Sequence, residues 1–372
     1  MTKLLNWKRD RTPLHGEKSL FGDPAKFQRG LYEITEGVYA WMQPNGSWGE
    51  SNAAMISSGG ESLVFDSLFD LKLTANMLRH MEPITKNAPI RMLVNSHSNG
   101  DHTYGNELFK DATILASEKA AEEMPSEPAS AATLLPVMGK AISCCGLGGM
   151  PMWPLRNMHR VGKYFQNMML PYHHKGITLT LPTETFTGHY KGQIGSIPFE
   201  LIEVGPAHTD GDIMLYLPDQ KVLFAGDILF VEGLPAAWNP GLPHWPKVLE
   251  QIQAMDIETI IPGHGPIITK DGVDDVKSFF DVLLSKTEDL YKNGMKPTAI
   301  ARHLLLEDRD FKPYLLWDCP ERTVMATNTY TRVLDGNTKH YSGGDKVKVL
   351  YGTASLAYDL PQAEPKLLHV LR

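Results

Sequence analysis

The stretch from Asn95 to Asn106 reads Asn-Ser-His-Ser-Asn-Gly-Asp-His-Thr-Tyr-Gly-Asn. It packs two imidazoles, His97 and His102, and a carboxylate, Asp101, into six residues. An irregular loop, unlike a helix or strand, can aim such neighbours at one cation, and nitrogen and oxygen donors of this kind suit zinc. The apolar run Ile90 to Val94 just before it predicts a short buried strand, so the cluster leaves that strand's carboxyl end, where α/β proteins carry their chemistry. Three later residues have the same placement. His208 follows the apolar strand Phe199 to Val204, Asp227 ends the strand starting at Val222, and His264 ends another starting at Thr259. A hydrogen-bonded polar loop would account for one such cluster; four turns after four strands would bring their side chains to one common edge.

The series His97, Asp101 and His102, then His208, then Asp227, then His264 resembles the metallo-β-lactamase superfamily, whose signature is His-x-His-x-Asp-His followed by His, Asp and His. The resemblance spans roughly residues 30–290 and includes Gln43 to Asn52, similar to that fold's first hairpin, and Asp66 at a strand end, similar to its supporting aspartate. It implies an α/β fold: a four-layer αβ/βα sandwich, here with a helical insertion and a small C-terminal α+β extension. It also implies a metal set of His97, Asp101, His102, His208, Asp227 and His264. One position departs from the signature: Asn99 stands where the family carries its second histidine.

An amide oxygen is a poor zinc ligand beside imidazole or carboxylate, so Asn99 is expected to bind weakly or to hydrogen-bond a water or substrate. That leaves His97 and His208 in the first pocket, whereas Asp101, His102 and His264, with Asp227 as a fourth or bridging ligand, complete the second. The expectation is one tightly bound zinc in the second pocket and a second ion only at high metal concentration. Zinc lowers the pKa of bound water to about 7, which supplies hydroxide at neutral pH. Asp101 would orient that water, and His97 and His208, where free of metal, would take protons or bind an oxyanion. Asp66 reads as an acceptor fixing a ligand histidine. His173, His174, His189 and His244 are candidates for the mouth of the site, with surface or core roles as the simpler account.

The chemistry expected is hydrolysis at an electrophilic carbon of a small, largely apolar ester, thioester, lactone or amide. Hydrolytic dehalogenation or a lyase elimination could use the same metal. An iron-dependent oxidoreductase and a non-catalytic binding protein are the remaining alternatives; the flavodiiron members of the superfamily place a glutamate where Asn99 stands, and this chain has none there. No Gly-x-Gly-x-x-Gly, Walker or Gly-x-Ser-x-Gly motif occurs.

The elements that must position these residues alternate in style. Val38–Met42, Ala53–Ser57 and Leu63–Phe65 are short strands separated by Gly and Asn turns. An amphipathic helix over 70–81 leads to the strand at Ile90, and a helix capped by Ser117 follows a strand over 112–116. A second strand-rich half spans 176–225, and helices are predicted over 244–255, 273–292, 297–306 and 321–334, with a hairpin over 341–350. Between Met124 and Met169 lie seven methionines with several prolines and glycines. This run reads as a helical cap over the motif edge, with a subunit interface or added core as alternatives; methionine suits irregular apolar groups. The organisation expected is an N-terminal arm over 1–30, a metallo-β-lactamase-like domain over 31–293 with the cap at about 124–175, and an extension over 294–372.

Composition narrows the partners. Of 372 residues, 42% are hydrophobic and 21% charged, as in ordinary globular proteins. With 43 acidic against 36 basic residues the formal charge is −7, which argues against nucleic acid. Lys140 and the prolines interrupt the one stretch rich enough to suggest a membrane span. The start of the chain lacks an apolar signal region, so a cytoplasmic location is expected. Cys144, Cys145 and Cys319 are expected as buried thiols rather than disulfides. A small-molecule substrate is the expected partner, with a homodimer left open.

Overall fold

The structure, a computed structural model, describes residues 16–17, 27–44, 48–145, 153–360 and 363. Two sheets form its centre. The first has eight strands in chain order: β1 (Gly16–Glu17), β2 (Arg29–Thr35), β3 (Val38–Met42), β4 (Ala53–Ser58), β5 (Glu61–Phe65), β6 (Ile90–Val94), β7 (Thr113–Ser117) and β8 (Glu184–Phe186). It is antiparallel through β5 and parallel from β5 to β8. The second runs β13-β12-β11-β10-β9, with β9 (His189–Ile194), β10 (Ile197–Glu203), β11 (Ile213–Leu217), β12 (Val222–Phe224) and β13 (Thr259–Ile261).

The alternation that made these segments legible as strands also builds the layers. Val38, Ala40, Ile56, Leu63 and Phe65 of the first sheet meet Phe199, Leu201, Leu215 and Phe224 of the second in one buried cluster. The opposite face of the first sheet, with Trp41, Met55, Val64 and Leu93, packs on Leu73, Met77 and Met81 of helix α1 (Leu71–Thr85). Asp70 caps that helix by accepting the Leu73 amide at 2.7 Å. The outer face of the second sheet packs on α6 (Trp245–Ala254) and α7 (Lys270–Lys292), burying Val248, Ile252, Val276 and Phe280. Helix, sheet, sheet, helix is the expected four-layer arrangement.

The first motif contains a short helix, α2 (Gly100–Thr103), which carries Asp101 and His102, and α3 (Glu118–Glu123), capped by Ser117 at 3.2 Å, follows β7. The cap region is a hairpin of α4 (Ala129–Cys145) and α5 (Trp153–Met168). Gly139 and Gly162 sit at its crossing, where a Cβ on either would lie within 2.7 Å of the other's carbonyl oxygen. Of the methionines there, Met168 and Met124 are buried and Met138 is exposed, so the run is only partly a cavity wall. Among the described residues no helix is long and apolar enough to cross a membrane.

The C-terminal part carries α8 (Pro297–Leu306), α9 (Thr323–Leu334) and α10 (Gly343–Ala357). The last replaces the expected hairpin over 341–350, so the extension's β component is absent among the described residues. Ser342 accepts the Asp345 amide at 3.2 Å and donates its own hydroxyl to the Asp345 carboxylate at 2.7 Å, and Val349, Thr353 and Leu356 are buried at helical spacing. Gly343 and Gly344 fall in the first turn, where they interrupt nothing. Cys319 is buried as expected, Cys144 is exposed, and the side chain of Cys145 lies outside the described residues.

Backbone placement after β13 is tight. Gly265 has φ +94°, and a Cβ there would come 2.0 Å from the Val231 carbonyl oxygen. Gly265→Ala is expected to cost about 2 kcal/mol or more and to displace His264; a lower melting temperature together with weaker metal retention would show both.

Candidate metal centre

The six expected ligands leave four separate strand ends and converge between the two sheets. His97, Asp101 and His102 follow β6, His208 follows β10, Asp227 follows β12 and His264 follows β13. Asp227 lies at the middle. Its Oδ2 is 3.3 Å from Nε2 of both His208 and His264 and 3.7 Å from Nε2 of His97, while its Oδ1 is 3.1 Å from Nε2 of His102. Asp101 Oδ2 is 3.3 Å from His264 Nε2 and 3.7 Å from His102 Nε2. Two clusters result, each with one donor atom per residue within 4.8 Å of the others: His97, His208 and Asp227, and Asp101, His102 and His264.

The surroundings orient these groups. Asp66, a non-glycine residue at φ 68°, ends β5. It accepts the Ser96 amide at 2.6 Å and His102 Nδ1–H at 2.9 Å, so the supporting role expected for it is met in the geometry. A carboxylate can only accept, which leaves the lone pair of His102 on Nε2, facing the centre. The carbonyl of Glu50 does the same for His264 at 3.1 Å. His97 Nδ1 lies 2.8 Å from Ser96 Oγ. His264 stacks on Phe230 with ring centroids 4.8 Å apart, and Phe230 in turn leans on Trp245.

Electrostatics divides the imidazoles. Burial, then the neighbouring His102, drives His97 down to about 4, and burial drives His208 down to about 3. Both stay neutral at physiological pH, with lone pairs available. Burial opposes charge on His102 and His264 as well, but Asp227, aided by Asp101, outweighs it and raises both. Burial would raise Asp227, yet His264, His102 and His97 hold it well below the carboxylate range. The centre therefore draws positive charge. His97 Nε2, His102 Nε2 and Asp227 Oδ1 are buried without hydrogen-bond partners although they face one another. Buried polar atoms that converge without bonding each other fit a shared cation.

Asn99 lies beside this centre, with Oδ1 2.7 Å from His208 Nε2 and Nδ2 donating to Glu127 Oε2 at 2.9 Å. Of the candidate mouth histidines, none joins it. His173 is exposed, His189 pairs with Glu200 at 2.9 Å on the surface, and His244 precedes α6. His174 is buried among the rings of Phe69, Tyr104 and Tyr172. Leu135 and Met168 of the expected cap and several residues that sequence reasoning missed complete the walls. A cavity of about 390 Å³ opens on Asp101, Asp227 and His264 and is lined by Trp48, Phe69, Tyr104, Leu135, Met168, Phe230, Trp238 and Leu350, with Arg322 and Lys346. Nothing local marks Glu127 or Arg322 in the sequence; tertiary packing alone brings them here.

A buried His/Asp centre between the facing sheets of an αβ/βα sandwich defines a metal-binding protein of the metallohydrolase kind. The family pattern of the Metallo-beta-lactamase superfamily matches residues 46–264, more than half of the chain, and the chain belongs to that superfamily. It is 25% identical over 251 residues to the linear primary-alkylsulfatase of Pseudomonas sp. (strain ATCC 19151), covering 61% of this chain and 45% of that protein. It is 26% identical over 92 residues to the metallo-beta-lactamase type 2 of Bacteroides fragilis, covering 23% of this chain and 37% of that one. The chain thus spans less than half the length of either. Among solved structures it resembles the stereoselective inverting sec-alkylsulfatase from Pseudomonas sp., with TM-score 0.60 and 16% identity over 85% of this chain and 52% of that one. That likeness is one of fold.

Asp66→Asn removes the anionic acceptor behind His102. Metal affinity of the second cluster is expected to fall about 10–100-fold, measured by competition with a chelating dye; unchanged affinity would leave Asp66 a purely structural residue. His174 makes a separate, pH-dependent contribution. Burial lowers it to about 4 from 6.5, so the unfolded chain binds the proton more readily than the folded one. Its contribution is full above pH 6.5 and is lost as pH falls toward 4. His174→Phe is expected to flatten the melting-temperature profile over that window.

Proposed function

We propose that the protein is a zinc-dependent hydrolase acting on a small molecule with a large apolar part. The observation that carries this reading is the cavity: its floor is Asp101, Asp227 and His264, and most of its wall is aromatic or aliphatic. Zinc bound there supplies Lewis acidity and lowers the pKa of water to about 7. The tighter zinc is assigned to Asp101, His102 and His264 with Asp227, and a weaker second ion to His97, His208 and Asp227. Each protein group has its own task. Asp101, whose side chain keeps 14% of its surface exposed, faces the cavity and orients the attacking water. His97 and His208, neutral at physiological pH, hold a weaker ion or receive a proton. Trp48, Phe69 and Phe230 exclude bulk water and grip the apolar part.

The substrate class follows from Arg322. This residue is 4% exposed, its Nε has no hydrogen-bond partner, and its guanidinium lies 4.6 Å over the Trp48 ring. Among the described residues its hydrogen bond runs to the Leu234 carbonyl at 3.2 Å, and no carboxylate comes within ion-pair distance, the charges of Glu321 and Asp101 acting on it only through space. A buried, unpaired guanidinium is costly; an anionic group on the substrate would offset that cost. Within the hydrolase reading this favours an ester whose head is anionic and whose tail is apolar. Alkyl sulfates have that form, and the sequence similarity to the linear primary-alkylsulfatase supports them as the first substrates to try.

The test is a panel of neutral carboxylic esters, lactones, thioesters and alkyl sulfates of increasing chain length, assayed with and without added zinc. Zinc-dependent turnover that rises with chain length is expected, and Arg322→Met is expected to lower kcat/KM for the anionic members about 10–100-fold while sparing the neutral ones. Absence of turnover in every class with zinc bound would remove the hydrolase reading; halide release or elimination would redirect it.

A further inference from the structure

The replacement of a ligand histidine by Asn99 comes with a second residue that gives the amide a direction. A side-chain amide has an accepting end and a donating end, and a carboxylate accepts only. Glu127 Oε2 lies 2.9 Å from one end of Asn99, so that end must be the NH2, and the oxygen must face His208 Nε2, 2.7 Å away. Glu127 is itself held: its carbonyl accepts the Tyr104 hydroxyl at 3.0 Å, and Lys346 of α10 approaches its other carboxylate oxygen at 3.8 Å. Burial raises the Glu127 carboxyl, while Lys346 and then Asn99 pull it back.

We propose that Glu127 is a positioning residue for the first metal pocket: it turns the Asn99 oxygen, rather than its NH2, toward the space shared by His97, His208 and Asp227. Without an ion that oxygen accepts a hydrogen bond from His208 Nε2–H. With an ion bound, the same oxygen faces the charge as a neutral fourth donor. The opposite amide orientation would aim N–H dipoles at a cation. The Asn99–Glu127 pair thus gives the first pocket a graded, weaker hold on metal instead of abolishing it. The inference rests on the metal-binding part of the reading above but not on any substrate.

The test titrates metal-free protein with Zn2+ and, separately, Co2+ at pH 8, following heat and the visible spectrum of the cobalt form. The wild-type chain is expected to bind one ion tightly and a second more weakly. Glu127→Gln can present either end of its own amide to Asn99 and should weaken the second ion by about tenfold or more while leaving the first unchanged. Asn99→Leu should give a similar loss, and the double variant should lose little beyond either single one, because both remove the same oriented oxygen. Circular dichroism and melting temperature verify that each variant folds. Unaltered affinity for the second ion in Glu127→Gln, fully additive losses, or a wild-type protein that takes only one ion at millimolar metal would each overturn the proposal. A wild-type protein that takes no ion at all would instead remove the metallohydrolase reading.

Discussion

Asp227 is the constraint on which the centre depends. One buried carboxylate stands within 3.1–3.7 Å of four imidazoles; burial lowers two of those rings, His97 and His208, while Asp227 and Asp101 raise the other two against burial. Such a cluster cannot satisfy itself by hydrogen bonding, since three of its inward-facing atoms have no partner. A divalent cation resolves the conflict, because it offsets the carboxylate charge and accepts the imidazole lone pairs that face the centre. The unpaired polar atoms and the raised imidazoles are thus two expressions of one demand for positive charge.

That demand is met only because the two sheets present their turns to each other. The parallel pairs β5–β6 and β12–β13 end side by side, so Asp66 and the His97 loop emerge together, as do Asp227 and His264. The backbone gives way to this geometry. Asp66 takes a left-handed φ, and Gly265 occupies a position where no side chain fits. Strain of that kind persists where the surroundings over-determine it, and here the bonds from Asp66 to Ser96 and His102 do so.

The sequence made this much visible because each ligand sits within a few residues of an apolar strand and a glycine or asparagine turn. Helix α8 and strands β6 and β11 fall where periodicity put them. Legibility ended where partners are distant in the chain. Asn99 stood out as a departure, but its partner Glu127 is 28 residues away, and the bond between them is tertiary. Helix α10 stands where glycines 343 and 344 suggest the turn of a hairpin, because the Ser342–Asp345 cap, a local signal, starts a helix there instead. The cavity's cation, Arg322, follows a left-handed Cys319 in a segment whose pattern gives no hint of where it packs.

The two kinds of legibility match a division of labour. The candidate metal ligands all sit at the ends of strands of the two sheets. Recognition here is assembled from late and inserted parts: Leu135 and Met168 from the cap, Arg322 from the segment before α9, and Lys346 and Leu350 from α10 all face the same cavity. Cap and C-terminal helices also touch directly, through Asn157 bonding Tyr351 and Ser355 at 2.9 and 3.0 Å. The C-terminal helices therefore complete the pocket. A fold of this kind supports many reactions, and the buried arginine of this cavity is placed by an element outside the two sheets, whereas Asn99 sits on the core motif and meets its partner Glu127 from the segment leading into the cap.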